Sequence, residues 1–247
     1  HLFDGFTPGE KAARVGALLE SIGLTRGFAP LVAIMGHDSS TVNNPHFAAY
    51  SCGACGGRSG GPNALFFARM ANRPEVRERL RARGIDVPDA TVFIGCVLDT
   101  CSDAVTFFDV DALPADRLPA IEALRDALDD ARRRDAHERC RKFESAPRDP
   151  TDAQALRHVE GRAMDLSQAR PELGHATNAS CIVGRRSISR GLFLDRRAFL
   201  ASYDPRSDER GEILERVLLA VGPVGAGINL EYFFSTVDNE RLGAGTK

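Results

Sequence analysis

Apolar residues near the amino end return every three or four positions. Val15, Leu18, Leu19 and Ile22 would share one side of a helix, with Thr7 offering an N-cap oxygen and Pro8 at the first helical position. That pattern predicts a helix over Pro8 to Ile22. The rhythm then changes. Phe28 to Met35 is a continuous apolar run of strand length, as expected for a strand covered on both faces, and it ends at Gly36-His37. Residues 41–61 carry Asn43-Asn44-Pro45 and paired glycines, which mark turns and loop. Two helices should follow, Pro62 to Ala71 and Pro74 to Gly84, each opening on proline and the second stopping on glycine. Ala90 to Val97 reads as a second buried strand.

The second half is more polar. Leu118 to Phe143 has helical spacing, but Leu124, Leu128 and Ala131 form only a thin apolar stripe, so this helix should be mostly exposed. Pro147 to Thr151 looks like a break. Ala179 to Val183 and Leu192 to Leu194 are short strand candidates, and Glu209 to Val221 is a helix expected to close at Gly222-Pro223. Strands alternating with helices argue for an α/β fold built over residues 1–247 as one unit, with a candidate subdivision at 147–151. No internal repeat is visible.

Composition narrows the functional classes. The chain has 247 residues, 43% of them hydrophobic, with a formal net charge of −2. A sizeable core is within reach, and no basic, aromatic-laced stripe points to nucleic acid. The runs Arg132-Arg133-Arg134 and Arg139 to Lys142 are interleaved with acids and read as a solvated helix face. Six irregularly spaced cysteines suit a reducing compartment better than a disulfide scaffold. No apolar run approaches the ~20 residues of a membrane-spanning helix, and no signal peptide is seen. The chain starts on His1, so the natural protein is expected to extend further.

Chemistry concentrates between Gly36 and Gly57, where one imidazole, His37, and two thiols, Cys52 and Cys55, fall in a glycine-rich stretch after a buried strand. Imidazole and thiolate are ligands that zinc favours. His37 would otherwise be a turn histidine bonded to backbone, but Asp38-Ser39-Ser40 beside it offers groups to fix the second ring nitrogen. Three readings compete for Cys52-x-x-Cys55. A redox pair would need a helix N-terminus at the first cysteine, and Gly56-Gly57 is poor context for one. A four-cysteine zinc site would need a second such pair, and Cys96 and Cys101 have the wrong spacing. The third reading is a mixed site in which one thiolate joins His37. Cys101-x-Asp103 is tempting as further ligands, yet an ordinary strand-exit loop is the preferred reading. Asp165, Arg170, Glu172, Asn178, Asn229, Glu231, Asp238, Asn239 and Glu240 could each line a site, but such residues are more often caps and surface pairs.

The run Gly-His-Asp-Ser-Ser-Thr-Val-Asn-Asn-Pro-His at 36–46, followed by Ser-Cys-Gly-Ala-Cys-Gly-Gly-Arg-Ser-Gly-Gly-Pro-Asn-Ala at 51–64, resembles the DabA family, the large soluble subunit of a bacterial inorganic-carbon uptake system. Ala169 to Gly174 with Asn178-Ala179, Leu192 to Leu200 with Ser202 to Pro205, and Gly222 to Val224 through Gly227 to Tyr232 with Val237 to Asn239 agree. The resemblance implies a parallel-sheet core like that of a β-type carbonic anhydrase, with helical insertions, holding one Zn2+. It assigns His37 as the histidine ligand and Cys52 as a cysteine ligand, and leaves Cys55 as a loop neighbour. The family's remaining ligands, a Cys-x-Asp pair, belong to a motif upstream of the histidine that does not occur in this chain. Cys101 and Asp103 follow His37, in the wrong order for that role. Asp38 stands where the family usually has glycine, as a neighbouring partner or a loop-shaping residue, and Leu173 where it usually has tryptophan.

What the resemblance implies functionally is hydration of CO2 to bicarbonate by zinc-activated water, coupled to an integral-membrane, cation-translocating DabB-like subunit. The intact protein would be peripheral on the cytoplasmic face of the inner membrane. These 247 residues alone should be inactive, because a catalytic zinc takes at least three protein ligands. A metal-free scaffold domain, or a thiol switch using Cys52 and Cys55, are the alternatives.

Overall fold

The computed structural model describes residues 5–51, 57–167, 178–194 and 196–246. The first helix, α1 (Pro8–Ser21), starts as its sequence requires. Thr7 Oγ1 accepts from the Glu10 backbone while the Glu10 carboxylate accepts from Thr7, closing a capping box, and Pro8 sits in the first turn. Val15 and Leu19 are fully buried. Strand β1 (Leu31–Asp38) runs three residues past Met35, so that Gly36, His37 and Asp38 belong to it. Helices α2 (Gly61–Ala71) and α3 (Pro74–Arg81) cross to β2 (Val92–Asp99), which lies parallel to β1 in register from Leu31↔Val92 to Asp38↔Asp99. A short β3 (Val105–Phe107) returns antiparallel along β2, giving the order β1-β2-β3.

One face of this sheet packs on α1, α2 and α3 through Val15, Leu19, Phe67, Val76, Leu80 and Phe93. Two glycines make the approach of α2 possible. A Cβ on Gly36 would lie 2.5 Å from the carbonyl carbon of Gly60, and one on Gly95 would lie 2.7 Å from the Cα of Leu65. Helix backbone therefore rests almost directly on strand backbone at the end of β1, where the candidate histidine sits.

Helix α4 (Leu118–Cys140) is largely exposed, as its thin stripe suggests, and buries Ile121, Ala136, Arg139 and Cys140. The break at 147–151 leads into a helix that the pattern did not announce, α5 (Asp152–Met164), opened by a Thr151–Gln154 capping box. It packs Ala155 and Val159 against Ala136 and Cys140 of α4. A second, parallel sheet joins β4 (Ser180–Gly184) to β5 (Ala198–Ser202). The strand expected at Leu192 to Leu194 is not there. Leu192 and Phe193 are exposed, and the strand forms six residues later, where Ala198 to Ser202 can pair with β4.

Gly222-Pro223 also behaves differently from expectation. Helix α6 (Glu212–Gly222) does not stop. It widens into a π-helical segment over Pro223–Ile228 and continues as α7 (Asn229–Val237). A proline lacks the N–H that an α-helix would use and crowds the carbonyl one turn back, and a π turn accommodates both. The result is one 26-residue helix, Glu212–Val237, with mean hydropathy 1.5 over its most apolar window, of which 6% is buried. By length and composition it is sufficient to cross a membrane. This corrects the expectation that no segment approaches that length, which rested on the shortness of the unbroken apolar runs.

Candidate functional site

His37 lies at the carboxyl end of β1. Gly36 faces α2, so strand alternation turns the His37 ring to the opposite face. Burial pulls the imidazole pKa below its ordinary 6.5, against a hydrogen bond to the Ser51 backbone and the negative charges of Asp38 and Asp99. The ring is therefore neutral at pH 7, the form that can ligate a metal, and the bond to Ser51 fixes its orientation.

Ser51 is gripped a second time. Asp38 Oδ1 accepts from the Ser51 hydroxyl at 2.9 Å and from the Ser39 backbone at 2.8 Å. Ser51 has φ 45°, a left-handed conformation that a non-glycine residue keeps only when its surroundings hold it. Asp38 is thus a partner of the loop that carries the cysteines. Cys52 and Cys55 themselves lie outside the described residues, as do Arg170, Glu172 and Leu173. The covalent neighbour of Cys52 is nonetheless tied to both His37 and Asp38.

At the end of β2, Asp99 does the same work for the start of the loop. It accepts from the Ser40 backbone at 3.0 Å, the Ser40 hydroxyl at 2.6 Å, the Cys101 backbone at 3.2 Å and the Ser102 hydroxyl at 2.7 Å. Burial alone would raise its pKa, but these bonds outweigh it and hold the carboxyl below the ordinary value. The Cys101 thiol is buried 3.2 Å from the Ser39 hydroxyl, and burial pushes its pKa up. Burial also pushes Cys96 up to about 11.

Asp103 is held by Arg139 of α4 at 2.7 Å and by Arg196 at 2.9 Å, with side-chain exposures of 12%, 4% and 18% respectively. Burial raises its carboxyl to about 6 against the pull of both guanidinium groups. A carboxylate committed to two arginines is a poor metal ligand, in keeping with the strand-exit reading of Cys101-x-Asp103.

The polar residues after His37 mostly build a strut. Thr41 donates to Asn43 at 2.6 Å, and Asn43 donates to the carbonyls of Arg162 and Asp165 at 2.6 and 3.0 Å, which anchors the loop to the end of α5. Asn44 donates to the Tyr232 hydroxyl at 3.2 Å and accepts from the His46 backbone at 2.9 Å, while the His46 ring meets Tyr232 edge-on. Through Tyr232 the loop is fastened to α7. Asp165, Asp238 and Asn239 accept from nearby backbone N–H groups, and Asn229 donates to the Asn178 carbonyl, so these residues act as caps and ties. Sequence reasoning missed Asp99 and Arg196, and it placed Arg139 on a solvated helix face, whereas Arg139 is buried against Asp103. Only Asp99 carried a signal, as the first acid after an apolar strand.

Among the described residues no group of three histidine, cysteine, aspartate or glutamate side chains is placed to hold a metal. The fit to zinc therefore rests on a neutral, oriented His37 whose support leads directly into Cys52.

The description "Probable inorganic carbon transporter subunit DabA" belongs to the family that matches residues 2–247. A probable inorganic carbon transporter subunit DabA 1 from Sorangium cellulosum is 64% identical over 242 residues, covering 98% of this chain and 24% of that relative. One from Methylococcus capsulatus is 62% identical, covering 98% and 23%, and one from Azotobacter vinelandii is 51% identical, covering 98% and 29%. The chain spans about a quarter of the length of the curated relatives it matches. No solved structure matches. With its histidine at the end of a parallel strand and near-complete coverage by these relatives, the chain belongs to the DabA family of probable inorganic carbon transporter subunits.

Proposed function

We propose that this chain supplies the histidine–cysteine half of a zinc centre in a protein that hydrates CO2 for inorganic carbon uptake. The carrying observation is the His37 ring, kept neutral by burial and fixed by the backbone of Ser51, the residue bonded to Cys52. Its support from the comparisons is the naming of relatives as probable inorganic carbon transporter subunits.

In this reading His37 and Cys52 hold the ion. When bound, zinc supplies a Lewis acid that lowers the pKa of water to ~7. The chain's own residues do the rest. Asp38 and the His37 ring hold Ser51 and so aim the cysteine-bearing loop at the strand end. Asp99 holds Ser40 and fixes the other end of the same loop. Gly36 lets α2 close over the strand and shut water out from that side. Two further ligands come from outside these 247 residues, so the chain alone does not hydrate CO2.

The reading extends to a place in the cell. The protein sits at the cytoplasmic face of the inner membrane and works with a DabB-like integral-membrane subunit. The exposed apolar side of Glu212–Val237, with Leu218, Leu219, Leu230 and Phe233 more than half exposed, supports an association with an apolar surface. Tyr232 ties that helix to Asn44, which favours docking over insertion.

Metal analysis of the full-length protein tests this. One zinc per polypeptide is expected in the wild type and in Cys55→Ser, with loss in His37→Ala and Cys52→Ser. Full metal in both of the latter variants would overturn the ligand assignment. Equal damage from Cys52→Ser and Cys55→Ser, with a disulfide forming under mild oxidation, would favour a thiol switch. Absence of zinc from the wild type would favour a scaffold.

A further inference from the structure

Between β4 and β5 lies a segment that the site above does not use. Residues 185–194 carry three arginines, Arg185, Arg186 and Arg190, and no acid. Their apolar run, Leu192 to Leu194, forms no strand, and Ile188, Leu192 and Phe193 are each more than half exposed. One exposed leucine means little, but three large apolar side chains within six residues, set among cations, mark an interaction surface. Arg185 is committed to Asp204 at 3.0 Å. Arg186 and Arg190 are exposed and meet no acid among the described residues. The chain as a whole has a formal net charge of −2, so this cationic character is local.

The segment is a built turn. Arg186–Ile188 is a 3-10 turn, in which the Ile188 N–H donates to the Arg185 carbonyl at 3.0 Å. The Ser189 N–H donates to the Arg186 carbonyl at 3.3 Å, and the Leu192 N–H to the Ser189 carbonyl at 3.2 Å. Gly191, at φ 79°, supplies the left-handed step between them. Backbone groups at the tip are thus partnered within the turn, and the tip can leave water without orphaning them. Both ends are stapled. Arg185 donates to Asp204 beyond β5, and Arg196 donates to Asp103 at 2.9 Å.

We propose that the turn 185–194 docks on an anionic lipid surface, with Ile188, Leu192 and Phe193 entering the headgroup boundary and Arg186 and Arg190 meeting lipid phosphates. Charge complementarity selects this occupant. An anionic headgroup layer presents phosphates above an apolar boundary, and a cationic turn with an apolar tip matches both at once. Guanidinium groups bind phosphate oxygens through paired N–H donors, while the arginine stems lie along apolar surface. The turn is separate from Glu212–Val237 and owes nothing to the zinc reading. Its membrane setting rests on the placement given above, and the contact with lipid itself goes beyond that placement.

Co-sedimentation of the full-length protein with vesicles tests the contact. Binding is expected to phosphatidylcholine vesicles that contain phosphatidylglycerol, not to phosphatidylcholine alone, and should fall as salt rises. Arg186→Gln combined with Arg190→Gln should weaken it roughly thirtyfold, from the usual contribution of two arginines near an anionic surface. Phe193→Trp keeps an aromatic ring, and the fluorescence it adds to that of the wild type should shift to the blue on anionic vesicles. Equal binding to both kinds of vesicle overturns the proposal, as does an absent blue shift or undiminished binding by the arginine variant. An acidic protein partner would show as a wild type that ignores vesicles and an arginine variant released from cell membranes, which overturns it too. Protein that stays at the cell membrane without binding vesicles sinks the lipid contact and leaves the membrane placement. Vesicle binding by a protein recovered wholly in the soluble fraction of cells does the reverse.

Discussion

Replacing Asp103 by alanine should be among the most damaging single changes in this chain. The carboxylate sits in the turn between β2 and β3 at φ 57° and joins three elements, through Arg139 at 2.7 Å and Arg196 at 2.9 Å. Removing one member of a buried ion pair costs about 3–5 kcal/mol, because the partner charge stays buried. The structure argues for the lower end of that range. Arg196 keeps a bond to the Thr100 carbonyl at 3.0 Å and has Asp135 at 3.7 Å, and it is 18% exposed, so it can reach water. Arg139 is the costly partner. It is 4% exposed, and its contact to the Cys101 carbonyl is a long 3.4 Å. A loss of about 3 kcal/mol follows. Urea denaturation followed by circular dichroism should then show a midpoint lowered by about 1 M, taking a slope of about 3 kcal/mol per molar. Asp103→Asn keeps an acceptor for one arginine and should lose less. A loss under about 1 kcal/mol for Asp103→Ala, the range of an exposed surface pair, would refute the claim that this trio anchors the turn.

Three further outcomes follow from the geometry. Gly36→Ala forces a methyl to 2.5 Å from the Gly60 carbonyl carbon, which is backbone and cannot swing aside, so thermal unfolding should report a loss of about 1–3 kcal/mol; an unchanged midpoint would mean α2 does not rest on the strand as described. Tyr232→Phe removes the acceptor for buried Asn44 and should cost about 1 kcal/mol or more by the same assay, while a neutral result would show that the loop is not fastened to α7. The His37 ring should titrate below 6.5 by NMR in the metal-free protein. Because its folded pKa is depressed, its stabilising contribution is complete above 6.5 and is lost as pH falls through 6.5 toward the folded value, where the unfolded chain takes up the proton first. His37→Gln should flatten that part of the stability profile, and an equally steep profile in the variant would rule the effect out.

Legibility in the sequence followed the range of the forces involved. The starts of α1, α2 and α3 were readable because a cap or a first-turn proline acts within four residues. The strands around Val32 and Phe93 were readable as unbroken apolar runs of strand length, but only β2 is buried as such a run suggests; β1, expected to be covered on both faces, has no fully buried residue and exposes Met35. His37 stood out as the first polar side chain after one of them. Elsewhere the local signal misled. Leu192-Phe193-Leu194 looks more like a strand than Ala198 to Ser202, yet pairing with β4 selected the latter. Gly222-Pro223 is a stop signal in isolation, yet the helix runs through it by way of a wider turn.

By itself, then, the amino-acid order determined the α/β class, the helix starts and the candidate imidazole, since each depends on neighbours along the chain. Tertiary structure alone decided that Asp99 would tie down Ser40, that Asp38 would hold Ser51, and that Asp103 would meet arginines 36 and 93 residues away. The physical reason is that a hydrogen bond or ion pair in a low-dielectric interior is set by position in space, and no periodicity along a chain encodes which distant groups the packing of sheet and helices will bring within three ångströms.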